Sequence, residues 1–237
     1  MEGFMPRAFS LISFSNRRAE KRTIALLPVL LSLIGFSTGF AQAHSLPDTL
    51  HLLALRAEFL ADDLATTTGN GKFDLSATST YTVDRPPHNR TYFQHQLLAL
   101  HNYFNRVSQG RVNLKADVFP LEQDRAYQLA QNMVYYSGQE DKATEKMRWA
   151  ELLRDALLLA EKDGTIDFTR YDGVIVFHAG VGKDFAFDFD ATPYDIQSVY
   201  LDYETLLQTV GKDQPNFSGI AVGGARVTNA LILPETQ

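Results

Sequence analysis

Tyr171-Asp-Gly-Val-Ile-Val-Phe177 is a short apolar run, opened by a glycine and followed by His178-Ala-Gly180. Its length and β-branched content predict a strand buried on both faces, the kind found inside a layered α/β structure. Upstream of it, Trp149, Leu153, Ala156, Leu157 and Ala160 repeat at helical spacing. They predict a helix over 141–162 that ends at Gly164. Residues 125–136 predict a short helix. Before that, Val112, Leu114, Ala116 and Val118 alternate with Arg111, Asn113, Lys115 and Asp117. A period of two with one wet face is a half-covered strand, and Pro120 stops it.

Further toward the N-terminus, Phe93, Leu97, Leu100, Phe104 and Val107 fall on one stripe of a helix over 92–107, with Gly110 where such a helix ends. Leu53, Leu55, Ala57 and Phe59 alternate with Ala54, Arg56 and Glu58, which predicts a half-buried strand. Thr66-Thr-Thr-Gly-Asn-Gly71 is a turn by composition, and the polar stretch 76–90, with Pro86-Pro87, is a loop. Downstream of Phe177 come an acidic, aromatic loop and a Gly-rich tail ending in Asn229-Ala-Leu-Ile-Leu-Pro234. The order strand, helix, strand, helix, strand predicts an α/β (α+β) fold. The expectation is a sheet of three or four strands with helices on one side, incomplete at its C-terminus, to which the tail adds little core.

Ahead of this domain stands a different kind of segment. Arg7, Arg17, Arg18, Lys21 and Arg22 lie in the first 22 residues, and Thr23 to Phe40 is free of charge. Ala41-Gln42-Ala43 then supplies the small residues that a signal peptidase requires. The pattern predicts a signal peptide over 1–43, cleavage after Ala43, and a secreted or periplasmic product with no stable membrane anchor. The apolar stretch is about long enough to span a bilayer, for which roughly 20 residues are needed. Pro28, Gly35 and Gly39 interrupt it.

Residues 1–43 hold five Lys/Arg and two Asp/Glu, so the rest retains 17 basic and 26 acidic side chains, a net charge of −9. A domain this acidic repels phosphate backbones, which argues against nucleic-acid binding. With no cysteine, disulfides and thiolate metal sites are excluded. An exported chain of this kind depends on its core, or on bound ions.

Histidines and carboxylates bound the chemistry. The six histidines are His44, His51, His88, His95, His101 and His178. No two stand four apart, the spacing that places two imidazoles on one metal along a helix. His178, at the end of the apolar strand, is either a ligand or substrate contact or a histidine bonded to nearby backbone. Glu161 to Asp167 resembles half of an EF-hand loop, but with Gly164 at the sixth position Leu159 and Arg170 stand where carboxylates are required, so a helix cap is the better account. Asp184, Asp188, Asp190 and Asp195 crowd one loop. The first three are the calcium candidates, calcium being the cation suited to a hard oxygen site outside the cell; a solvated acidic loop is the alternative. No Gly-x-Ser-x-Gly elbow and no Gly-rich phosphate loop is present, and no catalytic residue is assigned.

Taken as a series, several segments resemble one family. They are Leu53 to Phe59, Thr67 to Phe73, Pro87 to Phe93, Tyr103 to Gly110, Tyr171 to Gly182, and Leu233-Pro-Glu-Thr236. Together they are similar to the N-terminal half of the catalytic domain of immune inhibitor A-type secreted zinc metallopeptidases. The resemblance implies a zincin-like twisted mixed sheet packed with helices, whose edge strand binds a peptide or protein substrate as an added strand. It implies zinc held by a His-Glu-x-x-His helix following the segment that matches Leu233-Pro-Glu-Thr236. No such helix is present in these 237 residues, so neither a zinc ligand nor a catalytic Glu can be assigned. The expectation is a scaffold half that is inactive by itself. The alternative is a non-catalytic exported binding domain on the same scaffold.

Overall fold

In the computed structural model, which describes residues 49–78, 84–139, 141–184 and 191–236, the decisive apolar run lies in strand β4, Gly173–Val181. Seven consecutive residues of β4 are buried, so both its faces are covered. The fold is α+β: a mixed six-stranded sheet with four helices. Strands β1 (Thr49–Glu58), β2 (Asn113–Phe119), β3 (Tyr127–Gln128), β4 and β8 (Ala230–Thr236) run parallel, and β5 (Val199–Leu201) pairs antiparallel with β8 at one edge. The order is β2-β1-β4-β8-β5, with β3 adding to β1 near its carboxyl end. Strands β6 (Ile220–Val222) and β7 (Ala225–Val227) form a separate hairpin. The leader, Ala43, Asp188 and Asp190 lie outside the described residues.

The long helices form where the side-chain periodicity places them. Helix α1, Arg90–Val107, is capped by Asn89, whose side chain accepts from the Tyr92 amide. Helix α3, Lys142–Asp163, is capped by Asp141, whose carboxylate accepts from the amides of Ala143 and Thr144. Those hydrogen bonds hold the Asp141 carboxyl below its usual range. At the other end Gly164 takes a left-handed φ of 70°, which a glycine adopts without strain. The segment that resembled half an EF-hand loop is therefore a helix C-cap. Residues 125–136 divide differently from expectation, into β3 and helix α2 (Met133–Ser137). Helix α4 spans Tyr203–Gln208.

Two expectations are corrected by the packing. The helices cover both faces of the sheet, and the sheet is wider than three or four strands. The register aligns Leu53, Val174 and Ala230, then Leu55, Val176 and Ile232, on one face, against which α3 packs. It aligns Ala54, Ile175 and Leu231, then Arg56, Phe177 and Leu233, on the other. There Phe93 of α1 stacks 4.6 Å from Phe177. The tail also contributes far more core than its glycines suggest. Strand β8 lies between β4 and β5, and Ile232 is wholly buried.

β1 is likewise not half-buried. Because β2, β3 and β4 flank it and helices lie on either side, Ala54 and Arg56 are as buried as Leu53 and Leu55. The Arg56 guanidinium reaches the loop after β2 and donates to the carbonyls of Gln123 (2.7 Å), Glu122 (2.6 Å) and Pro120 (3.1 Å). Burial, reinforced by Arg90, lowers its pKa to about 10, so the group is still charged at neutral pH.

On the α1 face the cover is partial. Phe93 and Leu97 are buried, but Phe104 and Val107 on the same stripe are exposed. Beside α1, over β4, β8 and β5, runs an apolar groove whose floor includes Ile175 and Leu231 and whose wall includes Leu100 and Phe104. Toward the carboxyl end it continues past Phe177 and Leu233. Tyr200 on β5 is 62% exposed at its margin.

Candidate functional site at the carboxyl ends of the strands

Parallel strands collect ligand sites at their carboxyl ends, where the connecting loops leave a crevice. A cavity of about 430 Å³ lies there, lined by Thr68, Lys72, Asp74, Asp84, His88, Gly180 and Glu235 among others. Its deepest chemistry is a pair drawn from opposite ends of the domain. His88, in the loop before α1, places Nδ1 2.5 Å from Glu235 Oε1 on β8, and both side chains are about 95% buried. Strand β8 delivers Glu235 because Pro234 closes the ladder with β4 at His178, after which the register shifts toward Val181.

Glu235 is saturated. Its Oε1 accepts from the Asp74 amide (2.7 Å) and its Oε2 from the Gly180 amide (2.9 Å). His88 is equally engaged: Nε2 lies 2.9 Å from the Asp84 carbonyl, its amide donates to the Asp74 carbonyl (2.7 Å), and its ring packs 4.3 Å from Tyr92. Burial pushes the Tyr92 phenol up to about 12, with the Asp84 carboxylate acting in the same direction. Hydrogen bonds from Ser76 hold the Asp74 carboxyl below its usual range. At the rim Lys72 pairs with Glu58 at 3.1 Å and with the Gln128 side chain.

Gly180 is required where it stands. Its φ is +96°, and a Cβ there would sit 2.5 Å from Met133 Cε and 3.3 Å from the Thr68 carbonyl oxygen. Gly180→Ala is expected to lower the unfolding free energy by about 2 kcal/mol, from the positive φ and the overpacking together. Urea unfolding followed by circular dichroism checks this.

The residues singled out in the sequence scatter. His178 points to the other face from Phe177, 5.7 Å from the Phe59 ring, and is wholly buried with Nδ1 3.0 Å from the Ala179 carbonyl oxygen. Burial lowers its pKa to about 4. It is a core histidine bonded to nearby backbone. The sign of its linkage follows: an unfolded imidazole takes a proton near its ordinary value of about 6.5, and the folded one resists until about 4. Stability is expected to fall as pH drops through that window. The fall should be blunted in His178→Phe, measured by thermal unfolding at a series of pH values.

Asp184 and Asp195 are tied to different partners. Asp184 accepts from the Ser198 amide (2.8 Å) and hydroxyl (2.7 Å). Asp195 is buried and accepts from the Thr68 amide (2.6 Å) and hydroxyl (2.5 Å), which pins the turn at 66–71 against the loop after β4. Asp188 and Asp190 lie outside the described residues. Among the described residues no group of three or more His, Asp or Glu is arranged to hold a metal ion. His101 on α1 has its Nδ1 2.8 Å from the Leu114 carbonyl oxygen.

Nothing local in the sequence signalled the His88–Glu235 pair, whose members stand 147 residues apart. The nearest hint was that both fall in segments carrying the family resemblance. No protein-family model matches this chain, and no curated protein matches it.

Proposed function

We propose that this chain is the N-terminal portion of the catalytic domain of a secreted zinc metalloendopeptidase. It would supply the sheet scaffold to a zinc-bearing helix that its own residues do not include. The observation that carries this reading is the half-covered α1 face. Sequence and packing give α1 an apolar stripe from Phe93 to Val107, yet only its first half is buried. An apolar groove, walled by α1 and floored by β4 and β8, suits a further helix laid beside α1. The edge strand β5 supports the same reading. Among the described residues it pairs with β8 alone, so its outer edge is open to an extended peptide.

Zinc, the metal this family implies, finds no fitting donor set among the described residues. His88 is committed to Glu235 and Asp84, His178 is sealed in the core, and His101 is bonded to Leu114. No catalytic step is therefore derived through a metal, and the 237-residue chain is expected not to hydrolyse peptides. Export remains part of the proposal, resting on the leader; among the described residues no helix is long and apolar enough to cross a membrane.

The deciding experiment reads the DNA beyond codon 237. A frame that encodes His-Glu-x-x-His, directly or after a shift or stop, supports the proposal, and its absence overturns it. Casein hydrolysis with stoichiometric zinc by the purified chain would refute the claim that it is inactive alone. A second reading, a non-catalytic exported binding domain, is favoured by the closed core on the α3 side, where Leu53, Leu55, Leu153, Leu157 and Ile232 are wholly buried without any further element. It predicts a cooperative calorimetric transition and little binding of hydrophobic dyes.

A further inference from the structure

Strand β2 is the other edge of the sheet: among the described residues it pairs with β1 alone. Which of its backbone groups look outward follows from its neighbour. Consecutive residues of a strand turn their N–H and C=O to opposite sides. The Asp172 amide donates to the His51 carbonyl (2.8 Å) on the β4 side of β1, and the Leu129 amide donates to the Glu58 carbonyl (2.8 Å) on the side of β2 and β3. The even-numbered residues of β1 therefore face β2. In a parallel ladder each of them bonds to the residues on either side of its partner. The partners of Leu50, Leu52 and Ala54 are Leu114, Ala116 and Val118. Asn113, Lys115 and Asp117 thus turn their backbone groups to β1, and Leu114, Ala116 and Val118 turn theirs away from it.

That outward edge is not bare. Two side chains of α1 reach it. Arg90 Nε donates to the Val118 carbonyl at 2.9 Å. His101 Nδ1 lies 2.8 Å from the Leu114 carbonyl oxygen, and because a carbonyl only accepts, that nitrogen carries the hydrogen. Arg90 opens α1 and meets the end of β2, whereas His101 lies late in α1 and meets its beginning, so the helix runs against the strand and grips it near both ends. We propose that Arg90 and His101 are edge guards: they hold shut a surface on which a second copy of this chain would otherwise add its own β2. An unguarded edge strand is a ready template for another chain, and side chains that occupy its outward groups are one way to close it.

The pattern of β2 singles out a second copy as the partner. Laid antiparallel about a two-fold axis at Ala116, the two strands bring Leu114 opposite Val118 of the second copy, apolar against apolar. The same register brings Lys115 opposite Asp117 of the second copy, opposite charges at directly opposed positions. Both residues are exposed, and Asp117 is held in place by the Tyr171 hydroxyl at 2.9 Å. Moving the axis one residue either way would set Lys115 against Lys115 or Asp117 against Asp117, and would aim the inward backbone groups at the partner. Besides the carbonyl of Ala116, the acceptors that this pairing needs are those of Leu114 and Val118, the two that His101 and Arg90 already occupy. An incoming strand has to displace both side chains. The inference is independent of the peptidase reading, since it concerns only groups described in this chain.

The test uses the full 237-residue chain, which has no cysteine of its own. Arg90→Ala combined with His101→Ala frees both carbonyls. Sedimentation equilibrium should show this double variant self-associating about tenfold or more tightly than the wild type, since two hydrogen bonds no longer compete with the incoming strand. The register is read by mixing chains that carry Lys115→Cys with chains that carry Asp117→Cys under oxidised glutathione. In the proposed pairing these two cysteines oppose each other only between unlike copies. A mixed disulfide is expected in the double-variant background, about tenfold or more above its level with both guards present, and neither cysteine variant alone should cross-link. A folded double variant that associates no more tightly than the wild type overturns the proposal. So does association without the mixed disulfide. If the double variant does not fold, Arg90→Ala and His101→Ala are read singly by the same two measurements, and no gain in either of them overturns it.

Discussion

Replacing Arg56 by alanine is expected to lower the unfolding free energy by about 4 kcal/mol. The side chain is wholly buried, and its terminal nitrogens satisfy the carbonyls of Pro120, Glu122 and Gln123. Only its Nε has no partner among the described residues. Removing it strands the carbonyls of Pro120 and Glu122, leaves Gln123 with only the Arg90 amide as donor, and opens a cavity between β1 and the loop after β2. Arg56→Met separates the two effects, because it restores most of the volume and none of the donors. Its expected loss is still about 3 kcal/mol. Arg56→Lys should also be destabilised, since one ammonium cannot reproduce a planar fork aimed at three oxygens. Chemical unfolding of the three variants checks the ranking, and a neutral Arg56→Met would show that volume rather than carbonyl satisfaction matters here.

The second large effect is expected at Glu235. Glu235→Ala leaves the buried His88 ring without its partner and takes the acceptor from the Asp74 and Gly180 amides. Breaking one side of a buried pair typically costs about 3–5 kcal/mol, and a loss of about 4 kcal/mol is expected. Much of that is the cost of stranding the partner. A double-mutant cycle exposes it: with His88 also replaced by Ala, the combined loss should fall short of the two single losses added together by about 1–3 kcal/mol. Strict additivity would mean that the two side chains act independently. Urea unfolding of the four variants at one fixed pH is the measurement.

The elements that local periodicity can specify were legible. β1, α1, β2, α3 and β4 each carry their own pattern of apolar residues, and each forms close to where that pattern places it. What periodicity cannot convey is which strand becomes a neighbour of which. Arg56 looked like a residue of a wet face because it alternates with leucines. Its burial follows from pairing with β4 on one side and β2 and β3 on the other. Ala230 to Leu233 has no polar residue to reveal an alternation, and the glycines ahead of it suggested a loose tail, yet β8 is an interior strand. The site shows the same limit more sharply. His88 and Glu235 meet only because the loop before α1 and the end of β8 reach the same edge of the sheet, a fact of topology with no local trace. The helix caps, by contrast, were short-range, and Gly164 ended its helix as its position requires.

The position of β8 has a consequence for the order of assembly. Although last of the described strands, β8 fits between β4 and β5, and among the described residues β5 pairs with nothing else in the sheet. Until residues 230–236 have been made, β4 therefore has a bare flank and β5 has nothing to join. The six-stranded layer can close only once that segment arrives, more than a hundred and seventy residues after β1 begins, so the strands made earlier wait unpaired on that side.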